Sequence, residues 1–167
     1  MTRRVHLLRH AKSSWDDATL GDHDRPLAPR GIKASARLAH WIQENDIRPE
    51  LILCSSALRA TETLAKVEHA LGSPRIVVAD SFYAASADAL KHRLSQLSPT
   101  LHDVLLIGHN PGLADVCQML AQPSQEKERI AEKLPTGAFV TLETRVDWAD
   151  LGPGCATIVH LVLPREL

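Results

Sequence analysis

Four short stretches rich in apolar residues each predict one strand, and segments with apolar residues at helical spacing separate them. The runs are residues 5–8, 51–54, 75–79 and 104–107. Strands that alternate with helices at this spacing form a parallel-rich sheet, because each helix carries the chain back to start the next strand. The pattern predicts an α/β fold of three layers, with a mostly parallel central sheet and helices on both faces.

The last third of the chain has a different pattern. Residues 138–142 and 156–163 indicate two strands joined through the polar loop 147–154, which predicts an antiparallel pair at the C-terminal end. Residues 122–133 are polar and predict a surface loop or a short helix. No repeat or linker interrupts the 167 residues, of which 44% are hydrophobic, so we expect a single domain over residues 1–167.

Composition excludes several classes of function. The formal net charge of −1 predicts no general attraction to nucleic acid or to acidic membranes. No apolar run is long enough for a signal peptide or a membrane span, so cytoplasmic residence is the expectation. The three cysteines lie far apart and show neither a disulfide framework nor zinc-ligand spacing. We therefore expect no metal and no cofactor.

Arginine and histidine residues follow three of the predicted strands. Arg9 and His10 end the first, Arg59 falls in the first turn of the helix after the second, and His109 follows the last of the four runs. Each alone could be a surface or structural residue. Ligands of α/β sheets bind at the carboxyl ends of strands, and a cation at a helix N-terminus is favourable when an anion lies beside it. Together these residues predict one anion-binding pocket.

Three motifs resemble those of the histidine phosphatase superfamily. They are Arg9-His10, the Ser-x-x-x-Arg-x-x-x-Thr spacing from Ser55 to Thr63, and Gly108-His109-Asn110-Pro111. Ala11 stands where the family hallmark Arg-His-Gly has glycine. The stretch 9–15, followed by Asp24-Arg25-Pro26-Leu27 and Arg30-Gly31, is most similar to the small SixA-type phosphohistidine phosphatases. The resemblance covers about residues 3–121 and implies a phosphoglycerate mutase-like fold.

The resemblance implies that His10 is a nucleophile that becomes phosphorylated, while Arg9, Arg59 and His109 hold the phosphoryl oxygens. Two guanidinium groups supply fixed positive charge for phosphoryl transfer without a metal. His10 must then be neutral at its attacking nitrogen, with the other ring N–H held by an acceptor. If His109 is protonated it adds a third donor, so we expect the two histidine pKa values to diverge. Ser13 is expected to bind substrate as well.

The leaving-group acid is the least defined part of the predicted site. Relatives place a carboxylate after the third strand, which makes Asp80 the candidate here, with a loop or helix-cap aspartate as the alternative. Asp88 and Asp16 are weaker candidates. A phosphohistidine substrate reduces the need for an acid, because its leaving imidazole has a pKa of about 6.5.

These residues favour a metal-independent phosphatase that works through a phosphohistidine enzyme intermediate, removes phosphoryl groups from protein phosphohistidine and releases inorganic phosphate. Because the segments between strands and helices are short, we expect an open site, and an open site admits a phosphorylated side chain of another protein. One alternative is a phosphomonoesterase acting on a small sugar or nucleotide phosphate. Another is a non-catalytic phosphoprotein-binding module. Mutase activity is less favoured, because it requires an enclosed site and a competent acid.

Overall fold

Strands and helices alternate through the first two thirds of the molecule, and two further strands complete it. The computed structural model describes all residues 1–167. In chain order the elements are β1 (Arg3–Arg9), α1 (Pro29–Glu44), β2 (Leu51–Ser55), α2 (Leu58–Val67), β3 (Arg75–Ala79), α3 (Ala87–Ser95), β4 (Asp103–Gly108), α4 (Gly112–Leu120), α5 (Gln125–Glu132), β5 (Phe139–Thr144) and β6 (Ala156–Val162).

All six strands form one sheet in the order β3-β2-β4-β1-β5-β6. Strands β3, β2, β4 and β1 run parallel, whereas β5 is antiparallel to both β1 and β6. Leu8 pairs with Phe139, and Phe139 pairs with Val162, so β5 begins and β6 ends beside the carboxyl end of β1. The mostly parallel sheet and the antiparallel C-terminal pair predicted from the sequence are confirmed.

The two faces of the sheet are covered by different helices because successive side chains of a strand point to opposite sides. Leu7 and Leu106 pack with α3, α4 and α5 on one face. Leu8 and Ile107 pack with α1 and α2 on the other. All four leucine and isoleucine side chains are buried, and complete burial of such a side chain contributes roughly 1.5–3 kcal/mol. The predicted three-layer arrangement follows from this alternation.

Two glycines allow helices to approach other backbone segments closely. A Cβ atom on Gly31 would stand 2.2 Å from the carbonyl oxygen of Lys12, and one on Gly112 would stand 2.0 Å from that of Ala85. Any larger residue would force the backbone apart at both places. The first contact fixes the start of α1 against the loop that follows β1.

The polar segment 122–133 contains a helix rather than a loop. Helix α5 is capped by Ser124, whose hydroxyl accepts a hydrogen bond from the backbone N–H of Lys127, and its Ile130 is buried in the core. None of the helices is long and apolar enough to cross a membrane.

Candidate active site

The carboxyl ends of β1, β4 and β2 meet at one edge of the sheet, with β4 in the middle. His10 directly follows β1, His109 directly follows β4, and Arg59 lies in the first turn of α2, just after β2. All three side chains are at least nine-tenths buried. The structure therefore brings these three predicted site residues into one cluster, with Arg9 at the end of β1 beside them.

The ring of His10 is oriented by the backbone of the next residue. Its Nδ1 lies 2.8 Å from the carbonyl oxygen of Ala11, so this nitrogen carries the hydrogen and donates it. The lone pair of Nε2 faces Arg59, whose Nε lies 3.3 Å away. Burial, aided by the positive charges of Arg59 and Arg9, lowers the pKa of His10 to about 3. His10 is thus a neutral imidazole whose unprotonated Nε2 is directed at the guanidinium group of Arg59.

The guanidinium group of Arg59 contacts both histidines of the cluster and the loop that contains Asp22. Its Nη2 lies 3.4 Å from Nδ1 of His109, while Nη1 donates to the carbonyl oxygen of Asp22 at 2.7 Å. Arg9 is anchored differently, by a 2.9 Å hydrogen bond from Nη1 to the carbonyl oxygen of Leu134. Burial, and then the charge of Arg59, lower the pKa of Arg9, yet an arginine keeps its charge at neutral pH.

His109 is held by the end of the neighbouring strand. Its Nε2 lies 2.7 Å from the hydroxyl of Ser55, and its Nδ1 accepts from Arg59. Burial and the charge of Arg59 lower the pKa of His109 to about 4. The prediction that the two histidine pKa values diverge is wrong. Both rings lie in the same buried, positively charged surroundings, with centroids 5.1 Å apart, so both are neutral.

The three residues of the Ser-x-x-x-Arg-x-x-x-Thr motif all contact the cluster or its support. Ser55 binds His109, Arg59 binds His10, and the hydroxyl of Thr63 accepts a 3.0 Å hydrogen bond from the backbone N–H of Ala11. The Thr63 hydroxyl also donates to the carbonyl oxygen of Arg59 at 2.6 Å. Thr63 therefore links the backbone after His10 to helix α2, which carries Arg59.

Asp22 is the site residue that the sequence did not identify. It lies in the long loop between β1 and α1, where its Oδ2 accepts from Nη2 of Arg59 at 3.0 Å and from the hydroxyl of Tyr83. Its Oδ1 pairs with Arg25, whose Nη1 donates to the Ser13 hydroxyl. The hydrogen bond from Tyr83 and the guanidinium of Arg59 hold the pKa of the Asp22 carboxyl well below its usual range. Asp22 is therefore the counter-ion of Arg59.

The structure leaves Asp80 and Ser13 outside the cluster. The Asp80 carboxylate is exposed and accepts a hydrogen bond from Ser56, the residue after the end of β2. The buried Ser13 hydroxyl is occupied by Arg25 at 2.7 Å. Neither side chain makes a hydrogen bond to His10, Arg59 or His109, so their predicted roles gain no support from the geometry. No group of three histidine, cysteine, aspartate or glutamate side chains could hold a metal ion.

Comparison with known proteins gives a consistent set of matches. Residues 5–82 match the family model of the histidine phosphatase superfamily (branch 1). The uncharacterized protein Rv1276c of Mycobacterium tuberculosis is 35% identical over 162 residues, which cover 95% of this chain and 100% of that protein. Phosphohistidine phosphatase SixA of Escherichia coli is 34% identical over 71 residues, or 42% of this chain and 43% of that protein.

A structure assigned to phosphohistidine phosphatase SixA from Nakamurella multipartitia is similar over nearly the whole molecule. It superimposes with a TM-score of 0.86 at 25% identity and covers 98% of this chain and 97% of that one. Phosphoglycerate mutase from Plasmodium falciparum superimposes with a TM-score of 0.62 at 15% identity over 98% of this chain and 90% of that one. With the strand order described above, these likenesses confirm the phosphoglycerate mutase-like fold predicted from the sequence.

Proposed function

We propose that this chain, which belongs to the histidine phosphatase superfamily, removes phosphoryl groups from protein phosphohistidine and passes each one through its own His10. The observation that carries the proposal is the state of His10. It is buried and neutral, its Nδ1 donates to the carbonyl oxygen of Ala11, and its Nε2 carries no proton. Nε2 accepts a 3.3 Å hydrogen bond from Nε of Arg59, and a phosphoryl group that binds Arg59 would take over this donor and release the lone pair for attack.

The first step is the attack of Nε2 of His10 on the phosphorus of the substrate. The bond between phosphorus and the substrate nitrogen breaks, and its electron pair leaves with the imidazole, which takes a proton from solvent. Arg9 and Arg59 stabilise the negative charge on the phosphoryl oxygens, as fixed positive groups do in phosphoryl transfer. Water then attacks the phosphorus on His10, which releases inorganic phosphate and restores the free Nε2.

His109 gains a role once the phosphoryl group is bound. Burial and the charge of Arg59 hold it neutral, and the negative charge of the substrate compensates the charge of Arg59, which raises the pKa of the ring. Protonation occurs at Nδ1, because Nε2 is directed at Ser55. His109 then supplies the third donor to the phosphoryl oxygens that the sequence indicated.

The surroundings of the two carboxylates support phosphohistidine as the substrate. Asp22 is held ionised by Tyr83 and Arg59, and Asp80 is turned toward Ser56. Neither is placed as a protonated acid beside His10. Expulsion of an alkoxide from a phosphate ester requires such an acid, whereas an imidazole leaves as a neutral or protonated ring near neutral pH.

A small phosphate ester is the second candidate substrate, and one contact favours it. A phosphoryl group on Arg59 would displace Asp22 from its counter-ion. The negative phosphoryl group would then face the Asp22 carboxylate in place of Arg59, and the repulsion between the two anions would raise the Asp22 pKa and favour a protonated carboxyl for an alkoxide leaving group.

Substrate kinetics test the proposal. We expect kcat/KM for phosphate release to be higher with a phosphohistidine-bearing protein than with any of a panel of alkyl phosphates. His10→Ala should abolish both activities. The matched control is His69→Ala, at an exposed histidine that belongs to none of the motifs of the site. A preference for one ester would contradict the phosphohistidine proposal. Binding of phosphorylated protein without any turnover would instead support the non-catalytic module.

A further inference from the structure

A cleft of about 270 Å³ beside the active site is lined by four basic side chains. We call it the cationic cleft. Lys12 contributes from the loop after β1, Arg30 and Arg37 from α1, and Arg165 from the turn after β6, while Pro135 and Thr136 line the same space. Three separate segments of the chain therefore converge to place positive charge around one cavity.

The cationic cleft opens at the same edge of the sheet as the catalytic cluster. Lys12 lies two residues after His10, and the segment that contains Thr136 is bonded to the site on both sides. The carbonyl oxygen of Leu134 accepts from Arg9, and the N–H of Gly137 lies 3.0 Å from the carbonyl oxygen of His10. A molecule whose phosphoryl group reaches His10 is thus in range of the cleft.

The charges of the cationic cleft are not neutralised within the chain. Lys12, Arg30, Arg37 and Arg165 make no ion pair and no side-chain hydrogen bond, whereas Arg129 and Arg25 elsewhere are paired with carboxylates. The chain as a whole carries a formal net charge of −1, so this positive charge is local. Converging like charges repel one another, and an anion that binds among them relieves that repulsion.

The spacing of the charges indicates an extended anion. Arg30 and Arg37 are seven residues apart on α1, which places them on one face and separates them by about 10 Å along the helix. Lys12 and Arg165 approach the cavity from other segments. A single phosphate cannot contact charges so widely separated, whereas a peptide segment with several carboxylates can pair with each of them.

We propose that the cationic cleft binds a carboxylate-rich segment of the phosphoprotein, next to the phosphohistidine that enters the active site. This inference rests on the proposed function and adds a specificity determinant to it. The cleft contributes binding and orientation, while the chemistry stays with His10 and the two arginines.

Two phosphohistidine peptides test the inference, one flanked by aspartate and glutamate and the other by asparagine and glutamine at the same positions. In the parent chain we expect kcat/KM to favour the acidic peptide, through KM, by roughly two- to thirtyfold, because two exposed ion pairs contribute at that scale. Arg30→Gln with Arg37→Gln should bring the ratio close to one. Raising the salt concentration should do the same, since exposed pairs are screened.

The charge-matched control is Lys33→Gln with Arg75→Gln, two exposed residues outside the cleft, one of them on the same helix. The control should keep the parent's preference. Equal ratios in the parent and the cleft variant would overturn the inference, as would an equal loss in the control. If neither peptide is hydrolysed, the proposed function fails. Fluorescence anisotropy with the unphosphorylated acidic peptide then tests the cationic cleft separately from catalysis. The inference requires this peptide to bind the cleft variant more weakly than the control.

Discussion

Acid should destabilise this protein in a way that reports directly on His10. Its pKa is about 3 in the folded chain, mainly because it is buried, against 6.5 for an ordinary histidine. Between these values the unfolded chain binds a proton that the folded chain does not. Stability is therefore complete above the unfolded pKa and is lost as the pH falls below it.

The magnitude follows from the size of the shift. Lowering the pH from about 8 to about 5 reduces the free energy of unfolding by about 2 kcal/mol through His10 alone, because each pH unit below 6.5 contributes about 1.4 kcal/mol. His109, with a pKa of about 4, adds a similar amount over the same range. We expect His10→Gln to remove its share, so that the variant loses about 2 kcal/mol less than the parent on acidification.

Urea denaturation of both chains at the two pH values measures this difference. Ser35→Ala is the control, because it removes a buried hydroxyl that bonds only the backbone carbonyl of Gly31, and its effect should be equal at both pH values. If His10→Gln shows the same pH dependence as the parent, His10 is not held neutral by the fold, and the argument for its nucleophilic state fails.

Three further substitutions examine the contacts around the pocket. Arg59→Lys should lower kcat/KM by about 100-fold or more, because an ammonium cannot reproduce the fork that contacts His10 and His109, and a loss under tenfold in steady-state assays would refute this. Asp22→Asn should strengthen inhibition by inorganic phosphate about two- to fivefold, since the competing carboxylate is removed; an unchanged inhibition constant would argue against the competition. Thr63→Val should cost about 1–3 kcal/mol in urea denaturation by leaving the N–H of Ala11 unpaired, and no loss would mean that this bond contributes nothing.

Much of the fold was predictable because its signals are local. The run 104–107 is apolar at every position, and its residues are buried in the middle of the sheet. The positions of His10, Arg59 and His109 followed from the same reasoning, since residues after parallel strands share one edge. The helix in segment 122–133 could not be distinguished from a loop, because its stability depends on the buried contact of Ile130 rather than on composition.

The parts of the site that were missed depend on contacts between distant segments. Asp22 is one of several aspartates in a polar loop, and only the folded positions of Arg59 and Tyr83 select it. The sequence predicted an anion beside Arg59, and the structure shows the Asp22 carboxylate of the chain itself in that position. The neutral state of His109 was also missed, because the cost of burying its charge depends on the packing around the ring.

The most direct test of the central claim is to trap the phosphoryl group on the enzyme. Turnover of phosphoramidate, quenched in alkali, should leave phosphohistidine on His10, and phosphorus NMR should locate the phosphoryl group on Nε2 because Nδ1 is bonded to the carbonyl oxygen of Ala11. Peptide mapping identifies the residue. Modification of His109, modification of His10 at Nδ1, or turnover with no phosphoenzyme would contradict the account.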